Sequence, residues 1–167
     1  MQNYRTSKKD NEAYLILYEA AQLSVRSYWT EGNTLVPNKI IHDVLKILKK
    51  NSIAELVYLK GRILEEKKNT ALAIVQYDLA IEDMNKYKPK GLSFTIDRIL
   101  WIKAWALYKD KQHSEAEKAF AGLARSTTDL SEKSRAQFYQ ARCLKLLNQE
   151  KTANQLLESV AKNDFFG

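Results

Sequence analysis

Carboxylates adjoin one another at several places in the chain, and paired carboxylates commonly perform general acid–base catalysis. The groups are Glu65–Glu66, and Glu82–Asp83 with Asp78 one turn earlier. Apolar residues around both groups recur at spacings of three and four, which predicts that they lie on exposed faces of helices. We therefore expect solvated carboxylates here and not a catalytic pair.

Histidine and cysteine offer little further chemistry. His42 and His113 are isolated, without the spacing to a second ligand that a metal site requires, and no glycine-rich phosphate loop is present. Cys143 stands among Ala136 and Leu144, which predicts a small packing residue and not a nucleophile. The sequence thus predicts no metal and no cofactor.

The stretch ILWIKAWALY contains the most distinctive residues. Trp101, Trp105 and Tyr108 are spaced by four and three, so on a helix their rings share one face. That face is either packed in a core or used as a binding surface, and the elements around it must decide which.

Composition favours a chain of helices. The 167 residues are 45% hydrophobic, with only 5 Gly and 2 Pro, and the net charge of +7 is spread over the whole length. Many lysines fall where helices end, where they offset the helix dipole, so we do not expect a nucleic-acid binder. No stretch reaches the ~20 apolar residues of a membrane span, so we expect no membrane insertion.

Apolar periodicity predicts eight helices, and short polar links separate most of them. The predicted ranges are about 11–29, 37–50, 53–68, 70–86, 94–110, 114–126, 132–147 and 150–163. Ser114-x-x-Glu117 has the form of a capping box at the start of the sixth helix.

Three of the four helix pairs have the same internal pattern. A small residue on the first helix is followed twelve residues later by an alanine, and a large apolar residue comes four residues after that. The sets are Gly61–Ala73–Tyr77, Ala104–Ala116–Phe120 and Ala141–Ala153–Leu157. Small residues let paired helices approach closely, and a pair with two apolar faces must stack on its neighbours. The sequence therefore contains a repeat.

With these offsets the chain resembles the tetratricopeptide repeat family. The resemblance implies an all-α solenoid of about four antiparallel pairs in a right-handed superhelix. It divides the chain into a divergent first pair or cap, 1–52, and three pairs, 53–93, 94–130 and 131–167. The repeats here are irregular, because Gly61 to Ala104 spans 43 residues and Ala104 to Ala141 spans 37, against about 34 in that family.

The last two pairs, with the terminal Asp164-Phe165-Phe166-Gly167, are also similar to the superhelical region of soluble lytic murein transglycosylases. This resemblance implies a periplasmic protein, peptidoglycan as ligand and a catalytic domain after Gly167. The family's catalytic Glu-Ser dipeptide is matched only by Glu158–Ser159, which lacks the sequence context of that site. We therefore expect no catalysis by this chain itself.

The tetratricopeptide resemblance also implies which residues face the concave groove. They are aromatic and basic, a combination suited to stacking on sugars or rings and to pairing with carboxylates. The predicted groove residues are Tyr58, Arg62, Arg98, Trp101, Trp105, Tyr108, Arg135, Phe138 and Arg142.

The expected function is that of a non-catalytic scaffold, the superhelical segment of a lytic transglycosylase, which positions peptidoglycan or organises a catalytic domain. The alternative is a self-standing, cytoplasmic adaptor that binds an acidic peptide or protein in its groove. In both cases we expect no cofactor.

Overall fold

The structure, a computed structural model, describes residues 35–47, 54–87 and 95–165, and in addition the single residues Ala20, Leu23, Ser24 and Ser27. The continuous ranges contain α1 (Leu35–Ile47), α2 (Ala54–Glu66), α3 (Thr70–Tyr87), α4 (Ile96–Lys109), α5 (His113–Ser126), α6 (Leu130–Leu146) and α7 (Glu150–Phe165). Every regular element in these ranges is an α-helix, which confirms the all-α class.

The predicted helices from residue 53 onward agree with α2 to α7 within two residues at either end. Most of the predicted helix 11–29 lies outside the described residues, although the four single residues within it are helical. Phe166 and Gly167, which carry part of the transglycosylase resemblance, also lie outside them. No helix in the described part of the chain is both long and apolar enough to cross a membrane.

The chain divides into two compact units, residues 1–87 and 88–167. In the first unit α1 packs on α2 and α2 on α3; in the second, each helix from α4 to α7 packs on the next one. Within the three helix pairs, links of three residues join α2 to α3, α4 to α5 and α6 to α7, and a link of the same length joins α5 to α6 between two pairs. Helices that pack together across so short a link must run antiparallel.

The three links within the helix pairs have the same backbone conformation. The middle residue of each is in the left-handed region, with φ of 58° at Lys68, 62° at Lys111 and 60° at Asn148. The next amide donates across the turn to a leucine carbonyl: Asn69 to Leu64 at 2.9 Å, Gln112 to Leu107 at 3.0 Å and Gln149 to Leu144 at 2.9 Å. This is the Schellman arrangement, and it occurs at the same distance from the small residue in all three pairs.

The predicted close approach of the paired helices is confirmed. Ala73, Ala116 and Ala153 are fully buried, as are Ala104 and Ala141 on the opposing helices. The contact is tight at Gly61, where an added Cβ would lie 2.5 Å from Cε1 of the buried Tyr77. The helices of that pair can therefore pack as they do only if residue 61 has no side chain.

The helix starts differ from the capping prediction at one place. Thr95 and Asp129 accept hydrogen bonds from the amides of Arg98 and Glu132, as N-cap residues do. The prediction of a Ser114–Glu117 capping box was wrong, because α5 begins at His113 and its N-cap residue, Gln112, makes no side-chain hydrogen bond. Glu117 instead accepts a 2.7 Å hydrogen bond from Gln140, which joins α5 to α6.

The contact at Gly61 gives the first prediction. A Gly61→Ala substitution should destabilise the chain by about 1–2 kcal/mol, because overpacking of a core outweighs the better helix propensity of alanine. Gly122→Ala is the matched control, since a Cβ there meets nothing within 4 Å, and it should stabilise by up to ~1 kcal/mol. Denaturant unfolding of both variants checks the pair. Equal effects at the two glycines would contradict the tight contact.

The left-handed links give the second prediction. Lys111→Gly should raise the free energy of unfolding by about 0.5–1 kcal/mol, because glycine adopts positive φ without steric cost. Asn148→Gly should raise the free energy of unfolding by less, since asparagine tolerates positive φ better than lysine. Lys111→Val should lower it. Thermal unfolding of the three variants measures the order of their stabilities. A loss of stability in Lys111→Gly would show that the lysine side chain has another role.

Candidate functional site

The second unit brings six of the nine predicted groove residues to one place. Trp101, Trp105 and Tyr108 follow one another along α4, and each is half-buried. The other three lie on α6, the first helix of the next pair: Arg135, Phe138 and Arg142. The two first helices of the second unit therefore share one aromatic and basic surface.

The centre of this surface is Tyr139, which was missing from the predicted set. Its ring meets the rings of Trp101, Trp105 and Tyr108 edge-on, with centroid distances of 5.5, 5.1 and 6.0 Å. Its own face is stacked on the buried Phe120, at 5.6 Å and 25°. Edge-to-face and offset-stacked rings are the favourable arrangements of aromatic pairs. We name Trp101, Trp105, Tyr108, Phe120 and Tyr139 the aromatic cluster.

A signal for Tyr139 existed in the repeat. It lies two residues before the small Ala141, and the same position is occupied by Leu59 before Gly61 and by Ile102 before Ala104. All three side chains are partly buried. An aromatic residue at this position is therefore expected to meet the stripe on the first helix of the preceding pair.

Trp101 is tied to the core as well as to the cluster. It packs on the buried group Leu123, Ala124 and Ala136, and its ring lies 5.4 Å from that of Phe120. Trp105 is more peripheral, nearly parallel to Trp101 at 6.5 Å and to Tyr108 at 5.4 Å. The tryptophans are therefore partly a packing surface between consecutive pairs and only partly open to a ligand.

Two arginines lie on the outer side of the cluster. The guanidinium carbon of Arg135 is 3.6 Å from the centroid of Trp101, a close cation–π contact, while its side chain stays 49% exposed. That of Arg142 is 5.7 Å from both Tyr108 and Tyr139. A guanidinium that lies over a ring can still direct its N–H groups sideways, toward a carboxylate.

Other predicted residues stand at the margin of this surface. Phe138 is 45% exposed, and its ring is perpendicular to that of Tyr139 at 5.4 Å. Arg98 is exposed on the first turn of α4, one turn before Trp101, with its amide bonded to the hydroxyl of Thr95. Arg135 also pairs with Glu132, at 3.4 Å.

Tyr58 and Arg62 belong to the first unit, where they take part in a local network. The Tyr77 hydroxyl donates a 2.8 Å hydrogen bond to Oε2 of Glu65, and Nε of Arg62 lies 3.6 Å from the same oxygen. The rings of Tyr58 and Tyr77 are 6.1 Å apart. The charge of Arg62 is therefore largely compensated within its own helix pair.

The same network corrects one expectation about the carboxylates. Glu66 is exposed as expected, but the expectation for Glu65 was wrong, since its side chain is only 7% exposed. Burial, and then the negative charge of Glu65, raise the pKa of Tyr77 far above its usual range. The phenol therefore stays protonated and acts as a structural hydrogen-bond donor.

The cysteine and the possible metal ligands can be examined in the described part of the chain. Cys143 is fully buried, as its sequence neighbours predicted, and burial followed by the charge of Glu117 raises its pKa to about 11. The protonated thiol is a poor nucleophile at neutral pH. No group of three or more His, Cys, Asp or Glu side chains that could hold a metal occurs among the described residues.

The central position of Tyr139 gives the third prediction. Tyr139→Ala should destabilise the chain by on the order of 2–3 kcal/mol and shift the tryptophan fluorescence to the red, because five aromatic contacts are lost and water reaches the indoles. Tyr139→Phe should keep most of the stability. Phe138→Ala, an adjacent but more exposed aromatic, is the control and should cost about 1 kcal/mol or less. Equal losses at the two positions would contradict the central role of Tyr139.

No known family's sequence model matches the chain, and a search of curated proteins finds no similar sequence.

Proposed function

We propose that the chain is a non-catalytic helical-repeat scaffold and that the surface formed by α4 and α6 binds a ligand that carries carboxylates. The observation on which this rests is the placing of two guanidiniums on the aromatic cluster, Arg135 on Trp101 and Arg142 beside Tyr108 and Tyr139. Rings fix the position of the guanidiniums, and the guanidiniums supply paired donors for an acidic group.

The scaffold part of the proposal extends the repeat to the whole chain. The same left-handed turn closes three helix pairs, and in the second unit α5 packs on α6, so that one pair stacks on the next. Repeats with this internal packing build solenoids. We propose a right-handed, tetratricopeptide-like superhelix of about four pairs, in which the surface of α4 and α6 lies on the concave side.

Peptidoglycan is the ligand that we favour. Its stem peptides carry carboxylates for the arginines, and its sugars present apolar faces that suit partly open rings such as Trp105 and Tyr108. The similarity of the last two pairs to the superhelical region of soluble lytic murein transglycosylases supports the same ligand. On this proposal the chain is periplasmic and positions peptidoglycan for a catalytic domain that follows Gly167.

The second candidate is a self-standing adaptor for an acidic peptide. One observation favours it, the 45% exposure of Phe138 next to the two arginines. An exposed aromatic beside positive charge suits a peptide with an apolar anchor and acidic flanks. The residues that follow Gly167 in the natural product distinguish the two candidates, because only the first requires a lysozyme-like domain there.

The fourth prediction tests the surface directly. The chain should co-sediment with isolated peptidoglycan sacculi, and binding should fall at least about tenfold in Arg135→Ala/Arg142→Ala, which removes two charge-assisted contacts. Arg135→Lys should also weaken binding, since an ammonium keeps the charge but loses the planar pair of donors. Arg125→Ala, an exposed arginine on α5, is the control for net charge and should bind like the parent.

Other outcomes of this experiment are equally informative. Binding to a glutamate-rich peptide that contains a phenylalanine, with no binding to sacculi, would support the adaptor. Equal weakening by Arg125→Ala would show that only overall charge matters and would contradict the site. Binding to neither probe would overturn the proposed function.

A further inference from the structure

The side chains of α4 and α6 contact one another in a constant register. Three of the contacts join residues that are 34 positions apart in the sequence. They are Trp101 with Arg135 at 3.6 Å, Trp105 with Tyr139 at 5.1 Å and Tyr108 with Arg142 at 5.7 Å, measured from ring centroid to guanidinium carbon or to the second centroid. A constant offset means that the two helices run parallel. We name these the first, middle and last contacts along the surface.

The positive charge at the first contact is partly compensated. Nη1 of Arg135 donates to Oε1 of Glu132 at 3.4 Å, while the guanidinium lies over Trp101. Glu132 also follows Arg98 by 34 positions, so the register places it across from that arginine as well. Arg135 is therefore already engaged with a carboxylate of the chain, and a carboxylate of a ligand would meet the negative charge of Glu132 here.

The positive charge at the last contact has no such compensation. Arg142 is exposed, and among the residues that the structure describes no carboxylate pairs with it. Lys145 is also exposed and lies one turn further along α6, on the same side of the helix. The two cations therefore concentrate positive potential at this end of the surface.

Trp105, at the middle contact, is the ring that a ligand can share with Arg142. It is half-buried, and within the described part of the chain no cation lies over it. Its ring is 5.4 Å from Tyr108 and 5.1 Å from Tyr139, and the guanidinium carbon of Arg142 is 5.7 Å from each of these two rings. A group on Trp105 and a group on Arg142 are thus near enough to belong to one short segment, since two residues of extended chain span about 7 Å.

We propose that the surface binds a single acidic group of its ligand, at Arg142 and Lys145, beside an uncharged sugar face on Trp105. This inference rests on the proposed function and names the segment of peptidoglycan that binds: a sugar with one adjacent stem-peptide carboxylate. Glu132 determines the selectivity, because it competes with the ligand for Arg135 and repels a second carboxylate. Arg135 is then a positioning residue that holds Trp101, and Arg142 is the main anion contact.

The fifth prediction concerns these unequal roles. Arg142→Ala should lower the affinity for isolated peptidoglycan sacculi about tenfold, and Arg135→Ala by about threefold or less, although the two variants lose the same charge. Arg142→Ala should also remove more of the salt dependence of binding, because its charge is the less compensated one. Co-sedimentation at low and at high salt measures both quantities. Equal losses would overturn the inference and leave the proposed function standing, whereas no loss in either variant would overturn both.

The carboxylate itself gives a test in which affinity should increase. Glu132→Gln should raise the affinity for sacculi about two- to fivefold, because it releases Arg135. Glu115→Gln makes the same charge change at an exposed position of α5 and should have no effect. In Glu132→Gln/Arg135→Ala the gain should disappear, since it acts through Arg135. An equal gain in Glu115→Gln, a gain that persists in the double variant, or binding only to the glutamate-rich peptide with phenylalanine would overturn the inference.

Discussion

The structure depends on the close approach of two helices immediately after a left-handed turn. In each of three pairs the turn reverses the chain within three residues, so the helices diverge little before they meet. They can meet only at a small residue: Gly61 against Tyr77, Ala104 and Ala141 against the next helix. Turn and contact act together, because a turn without the small residue would force the helices apart and a small residue without the turn would have no partner.

The close contact within each pair determines which positions of the first helix can contact a neighbouring pair. Residues three before, one after and four after the small residue lie on the neighbouring stripe of the first helix, where they only partly contact their own pair, as Trp101 does at Phe120. In the second unit this stripe carries Trp101, Trp105 and Tyr108, and Tyr139 of the next first helix packs against all three. The rings thereby connect consecutive pairs, and the arginines lie on a surface that packing already holds rigid. In the proposed function, this packing lowers the entropic cost of binding a ligand.

The sequence predicts the parts of this arrangement that depend on spacing within one helix or one pair. Close packing of a helix pair requires a small residue at Gly61, Ala104 or Ala141 and an alanine twelve residues later. These residue types can be recognised in the sequence. Tyr139 escaped prediction because the three rings that it meets edge-on lie 31 to 38 residues earlier, on α4, and spacing within α6 does not identify them. Only a comparison of its position across the repeats indicates that it packs. Lys68 and Lys111 escaped for another reason: a lysine lacks the glycine signal that normally marks a left-handed turn.

Glu65 shows where position on a helix is a poor guide to environment. Its place beside Glu66 and four residues after Gly61 predicts exposure, yet the Tyr77 hydroxyl, twelve residues onward, draws it into a nearly buried hydrogen bond. The bond is possible because Gly61 lets the tyrosine ring cross so close to α2. A tyrosine at that position therefore explains both the glycine and the buried carboxylate, whereas the sister pair with Phe120 accommodates Ala104 and has no hydroxyl to satisfy. The differences between repeats, and not their shared pattern, indicate where the chain departs from a generic helix pair. By that reasoning the aromatic cluster is the feature that packing of a single helix pair leaves unexplained.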